Sequence, residues 1–70
     1  MDYALLLTQF ERENDVGGWP RQRVVHACLR ESILSGRLGE GVRLLSTRDL
    51  GRELGIARNT VLSAYEQLAA

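Results

Sequence analysis

Apolar residues recur along this chain at the spacing of helices. Tyr3, Leu6, Leu7 and Phe10 fall at i, i+3, i+4 and i+7, the stripe of an amphipathic helix. Asp2 stands where a carboxylate can cap the first turn and favour its dipole. Asn14-Asp15-Val16-Gly17-Gly18 then predicts a stop and a flexible joint. Stripes of this kind usually face a core, so an arm docked on its own domain is the first expectation. A contact with a partner or a second copy is the alternative, and the spacing alone does not choose between them.

A second helix is expected from about Pro20 to Ser35, because proline suits a first turn and Gly36 suits a C-cap. Val24, Val25, Cys28, Leu29, Ser32 and Ile33 form its apolar face. Cys28, in mid-stripe, reads as a small core residue, and His26, off the stripe beside Arg30, as a solvated side chain. Gly36, Gly39 and Gly41 then predict a looped crossing, followed by a short extended piece from Val42 to Leu45. A phosphate-cradling loop needs a preceding strand and a Lys-Ser/Thr ending, and neither is present.

The stretch from Ser46 to Leu68 organises the rest. Ser46-Thr47-Arg48-Asp49 fits a capping box with Asp in place of Glu. Leu50 and Leu54 form a core pair, and Gly51 between them costs about 1 kcal/mol in an ordinary helix. Such a residue makes sense where another helix crosses close over it. Gly55 can take the positive φ of a tight turn, and Ile56 reaches back inward. A further helix starts at Ala57 or Arg58, with Val61, Ala64, Tyr65 and Leu68 facing the core. Taken jointly, these positions have the spacing of a helix-turn-helix.

The outward residues of the last helix are then Arg58, Asn59, Thr60, Ser63 and Gln67. In a helix-turn-helix the start of the second helix enters the major groove. There Arg can pair with guanine O6 and N7, and Asn with adenine N6 and N7. Thr60 can bond a phosphate or touch a thymine methyl, and Ser63 lies one turn further on. Arg48 and the Ser46 and Thr47 hydroxyls open the preceding helix, which crosses the backbone, so they suit phosphate contacts. The candidate DNA-binding set is therefore Arg48, Arg58, Asn59, Thr60, Ser46, Thr47 and Ser63.

Composition narrows the alternatives. A chain of 70 residues makes one small domain, and such domains bury only about 60 % of the surface their unfolded chains expose. One Cys and one His exclude an internal disulfide and a structural zinc site. No paired catalytic groups are present, so no enzyme, metal or bound cofactor is expected. The formal charge is zero but unevenly spread: residues 1–16 carry a net −3, and residues 21–70 carry eight Arg against five acids. That asymmetry points to an anionic partner for the second part. No apolar run approaches the roughly 18 residues of a membrane span, and no secretory signal opens the chain, so the cytoplasm is the default compartment. Leu68-Ala69-Ala70 ends within a helical pattern, which predicts a piece of a longer protein.

Gly36-Arg37-Leu38, Leu44, Ser46-Thr47-Arg48-Asp49-Leu50, Glu53 through Val61 and Ala64-Tyr65-Glu66-Gln67-Leu68 together resemble the GntR family of bacterial winged-helix regulators. Arg58-Asn59-Thr60-Val61 and the last of these pieces are more typical of its MocR branch. The opening Met1-Asp2-Tyr3-Ala4-Leu5-Leu6-Leu7 is similar to starts in that branch. The resemblance implies a wing hairpin after Ala70, then a linker and an aminotransferase-type domain that binds pyridoxal phosphate and dimerises. This chain has no lysine to hold that cofactor. By position, Arg48, Arg58, Asn59 and Thr60 match the family's DNA-contacting residues. Leu45 stands where Pro is usual, Ala57 where Ser or Thr is common, and Leu62 where some members place an Arg.

The expected fold is thus all-α in the given chain, a helix-turn-helix of winged-helix type lacking its wing hairpin. Residues 1–18 form an arm and linker, and 19–70 the DNA-binding domain. The expected function is sequence-specific binding of double-stranded DNA by a regulator that is a homodimer at full length. The alternative is a protein-interaction module using the apolar arm at 3–10.

Overall fold

A computed structural model describes residues 1–39, 41 and 43–69, and among them the fold is all-α, with four helices and no strand. In order they are α1 (Tyr3–Glu13), α2 (Arg21–Leu34), α3 (Thr47–Leu54) and α4 (Arg58–Ala69). α2 lies against α4, α3 packs on α4, and α1 rests on both α2 and α3.

The Asp2 carboxylate caps α1 by accepting from the Leu5 N–H at 3.0 Å. Tyr3, Leu6, Leu7 and Phe10 are all buried in the core cluster. The stripe is therefore covered from within, which leaves the interaction-module alternative without a free apolar face on this helix. The expected flexible joint is a hydrogen-bonded turn. The Trp19 N–H donates to the Val16 carbonyl at 3.0 Å, and Gly18 takes φ +85° at the third position, where a type II turn needs positive φ. The Arg23 guanidinium lies 3.9 Å from the centre of the Trp19 ring, a cation–π contact.

α2 begins at Arg21, with Pro20 as its N-cap residue, and ends at Leu34. Val24, Val25, Cys28, Leu29 and Ser32 are buried as the stripe predicts. Ile33 is a correction: it is 45 % exposed. The chain leaves the helix there through Ser35 and Gly36, the latter at φ +83°. Leu38 takes the inner place instead. Its N–H donates to the Ser32 carbonyl at 2.9 Å, and its side chain is only 2 % exposed. Leu38 lies in the glycine-rich connector, where no periodicity marks it as core. His26 is half-buried and lies along a groove with Phe10, Trp19 and Arg30, where the sequence predicts a solvated residue.

The short extended piece expected at Val42 to Leu45 is neither helix nor paired strand at Arg43, Leu44 and Leu45, and Val42 lies outside the described residues. Leu50, Val61 and Ala64 have no exposed surface and join α3 to α4. Full burial of a Leu or Val side chain contributes about 1.5–3 kcal/mol, so these positions secure the helix pair. Leu54, Tyr65 and Leu68 pack against the same core from partly exposed positions. Among the described residues no buried side-chain N or O lacks a hydrogen-bond partner. The buried Ser32 hydroxyl, for instance, donates to the Cys28 carbonyl at 2.8 Å.

Candidate nucleic-acid interface

The candidate surface is built where α3 begins and α4 begins. Ser46 caps α3, its hydroxyl oxygen accepting from the Asp49 N–H at 3.1 Å. This is the capping half of the predicted box, and it engages one orphan donor of the first turn. Thr47 and Arg48 follow as the first helical residues, Thr47 half-buried and Arg48 exposed. Arg52, one turn after Arg48, is also exposed and faces Asp49 at 3.9 Å. An open pair of that kind is worth at most about 1 kcal/mol. Residues i and i+4 share a helix face, so Arg48 and Arg52 present two guanidinium groups along one side of α3. Arg52 is absent from the candidate set above, although its spacing from Arg48 was the available signal.

The turn explains its glycines. Gly55 ends α3 at φ +68°, and its N–H, like that of Ile56 at 3.0 Å, donates to the Gly51 carbonyl. A Cβ on Gly51 would stand 3.0 Å from the Ile56 carbonyl oxygen and 3.6 Å from the Arg58 N and Cα. The close crossing expected over Gly51 is therefore the backbone that opens α4. Ala57 contributes its carbonyl to that opening, accepting from Thr60 at 3.0 Å and Val61 at 3.3 Å. Its methyl can accept nothing from the first-turn N–H groups, where a Ser or Thr hydroxyl could.

Arg58 is the first residue of α4 and is exposed. Its Nε–H donates to the Thr47 hydroxyl oxygen at 3.3 Å, so two members of the predicted set meet directly. Asn59 is exposed, whereas Thr60 and Ser63 are half-buried, less outward than the sequence implies. Gln67 and Leu62 are exposed, Leu62 at 45 %. Leu62 follows Arg58 by four residues and thus shares its face.

A second tie holds this region from behind. The Tyr65 hydroxyl on α4 donates to the Leu45 carbonyl, just before the α3 cap. Burial pushes the Tyr65 phenol up to about 12, with the Tyr3 side chain adding to the rise. The phenol is therefore a donor throughout the neutral range. The segment before α3 is thus restrained by a side chain from α4. Among the described residues no group of three or more His, Cys, Asp or Glu could hold a metal, and no helix is long and apolar enough to cross a membrane.

Comparison with known proteins gives several relatives. The chain is 40 % identical over 60 residues to the "Probable rhizopine catabolism regulatory protein MocR" of Rhizobium meliloti, covering 86 % of this chain and 12 % of that protein. It is 47 % identical over 49 residues to the HTH-type transcriptional regulator TauR of Rhodobacter capsulatus, covering 70 % of this chain and 10 % of that one. With the "Uncharacterized HTH-type transcriptional regulator YdeL" of Bacillus subtilis it shares 39 % over 51 residues, 73 % of this chain and 11 % of the relative. No protein-family model matches the chain, and no solved structure matches it. The chain is thus similar over most of its own length to helix-turn-helix transcription regulators, while spanning about a tenth of theirs.

Proposed function

We propose that this chain is the DNA-reading head of a transcription regulator of the GntR family, in its MocR-like branch. It binds double-stranded DNA sequence-specifically, with the start of α4 in the major groove. Arg58 and Asn59 address base edges there, Thr60 and Ser63 support them, Thr47 stands bonded to Arg58, and Arg48, with the Ser46 hydroxyl, engages the phosphates of the flanking strand. Leu62, exposed behind Arg58, adds an apolar contact of the kind a thymine methyl accepts. The observation that carries this reading is the placement of Arg58. It stands exposed on the first turn of α4, against the start of α3, on a helix pair whose relatives are named as regulators. In the full-length protein we place a wing and a pyridoxal-phosphate-binding, dimerising domain after this chain, acting in the cytoplasm. The head itself uses no cofactor and performs no catalysis.

Titration of a fluorescent duplex at increasing salt tests the reading. Binding should weaken linearly in log affinity against log salt, as counterions are released from neutralised phosphates. Arg58→Ala should cost about 1–3 kcal/mol and relax preference at one base pair, while Arg48→Ala should weaken all sequences alike. Binding insensitive to salt, or undiminished by Arg58→Ala, would refute it.

A further inference from the structure

We propose that Thr47 is a positioning residue for Arg58 and so sets the sequence specificity of the head, an inference that rests on the DNA-binding reading above. The observation is the 3.3 Å hydrogen bond from Arg58 Nε–H to the Thr47 hydroxyl oxygen, across eleven residues and two helices. An arginine has five N–H donors in a planar fork. With Nε engaged, the four hydrogens on the two terminal nitrogens remain for an end-on contact. That end-on pair matches guanine O6 and N7. A free Arg58 could instead swing and offer Nε with one terminal nitrogen, or turn to a phosphate, and the choice of base would blur.

Gly51 makes the brace possible. Thr47 and Gly51 lie four apart and share a face of α3, and that face receives Arg58. Its N and Cα lie 3.6 Å from where a Gly51 Cβ would be, and its Nε reaches Thr47. The missing side chain lets the backbone of Arg58 come down, and the hydroxyl one turn away then meets its guanidinium. Thr47 is only half-buried, so the pair faces the surface on which a duplex would lie. The Thr47 hydroxyl is here an acceptor toward Arg58, a different role from the phosphate contact that its helix position suggests.

The test compares Thr47→Val, which keeps the shape and removes the acceptor, with Thr47→Ser, which keeps the hydroxyl. In the free 70-residue chain, the Arg58 Nε–H signal in nitrogen-15 spectra should exchange slowly with solvent. It should exchange faster in Thr47→Val and recover in Thr47→Ser. A duplex selected from a randomised library by the unaltered chain then supplies the binding probe, with single-base variants at the step where Arg58→Ala removes preference. Thr47→Val should reduce discrimination at that step about three- to tenfold, the worth of one ordinary, solvent-exposed hydrogen bond. Thr47→Ser should restore it, and Thr47→Val should add nothing in an Arg58→Ala background. Equal weakening of every duplex, persisting in that background, would mean a direct phosphate contact and overturn the proposal. Unchanged discrimination would overturn it as well. Failure of the unaltered chain to enrich any duplex, with the Nε–H signal behaving as expected, would overturn the DNA-binding reading instead.

Discussion

The Tyr65 hydroxyl on α4 donates to the Leu45 carbonyl, twenty residues earlier and next to the residue that caps α3. The contact couples the start of one helix of the pair to the middle of the other. It restrains Leu45, the residue immediately before the Ser46 cap.

Tyr65→Phe removes this bond and leaves the ring in place. The expected cost is about 1 kcal/mol, the net worth of an ordinary hydrogen bond. For a domain of this size that lowers Tm by roughly 4–8 °C. Thermal unfolding followed by circular dichroism checks it, and an unchanged Tm would show that the bond contributes nothing.

Alkaline pH should destabilise the fold in two overlapping windows. Burial raises the Cys28 thiol from 9.0 to about 11, the Ser32 hydroxyl nearby offsetting part of the rise, and burial raises the Tyr65 phenol from 10.0 to about 12. In each window the folded chain holds a proton that the unfolded chain has released. Stability therefore falls as pH rises through it. Urea titrations between pH 8 and 12 should show a decline that starts near pH 9 and steepens above 10. Cys28→Ala should flatten its lower part, and Tyr65→Phe its upper part.

Cys28 should be chemically quiet in the folded protein. The residue is 4 % exposed and its raised pKa keeps the thiol protonated at neutral pH, whereas the thiolate is the reactive form. Ellman's reagent should label it slowly at pH 7.5 and rapidly in 6 M guanidinium. Fast labelling without denaturant would contradict the burial.

Gly51→Ala has two opposed effects, and the geometry decides the sign. Alanine gains about 1 kcal/mol in helix propensity. The added methyl, however, meets the Ile56 carbonyl oxygen at 3.0 Å, and a backbone atom cannot swing aside. Overpacking of this kind costs about 1–3 kcal/mol, so net destabilisation is expected, read as a lower urea midpoint. DNA affinity should fall further than stability alone explains, because Arg58 is pushed off its seat on α3.

Patterns within single elements were legible in the sequence, as was the close crossing at Gly51, but the side-chain contacts between elements were not. The α1 stripe, the Ser46 cap and the left-handed Gly55 each follow from local spacing or backbone preference. Ile33 fits the α2 stripe as well as Leu29 does, yet it lies outside because the chain turns away at Gly36 and brings Leu38 in. Only the path of the connector reveals that exchange. Among the candidate DNA contacts, Arg58 and Thr47 could each be picked out by position on its own helix. That one holds the other depends on how α3 and α4 cross, which no sequence period encodes.

The docking of α1 also bears on how the chain is made. Its apolar stripe rests on both α2 and α3, yet Thr47, which opens α3, is synthesised 34 residues after Glu13, which closes α1. At about 5–20 residues per second, that interval lasts roughly 2–7 s. For that time Tyr3, Leu6, Leu7 and Phe10 have only part of their native cover. α1 thus waits for a helix made later, and its apolar stripe is most open to chaperones and misassociation before α3 emerges.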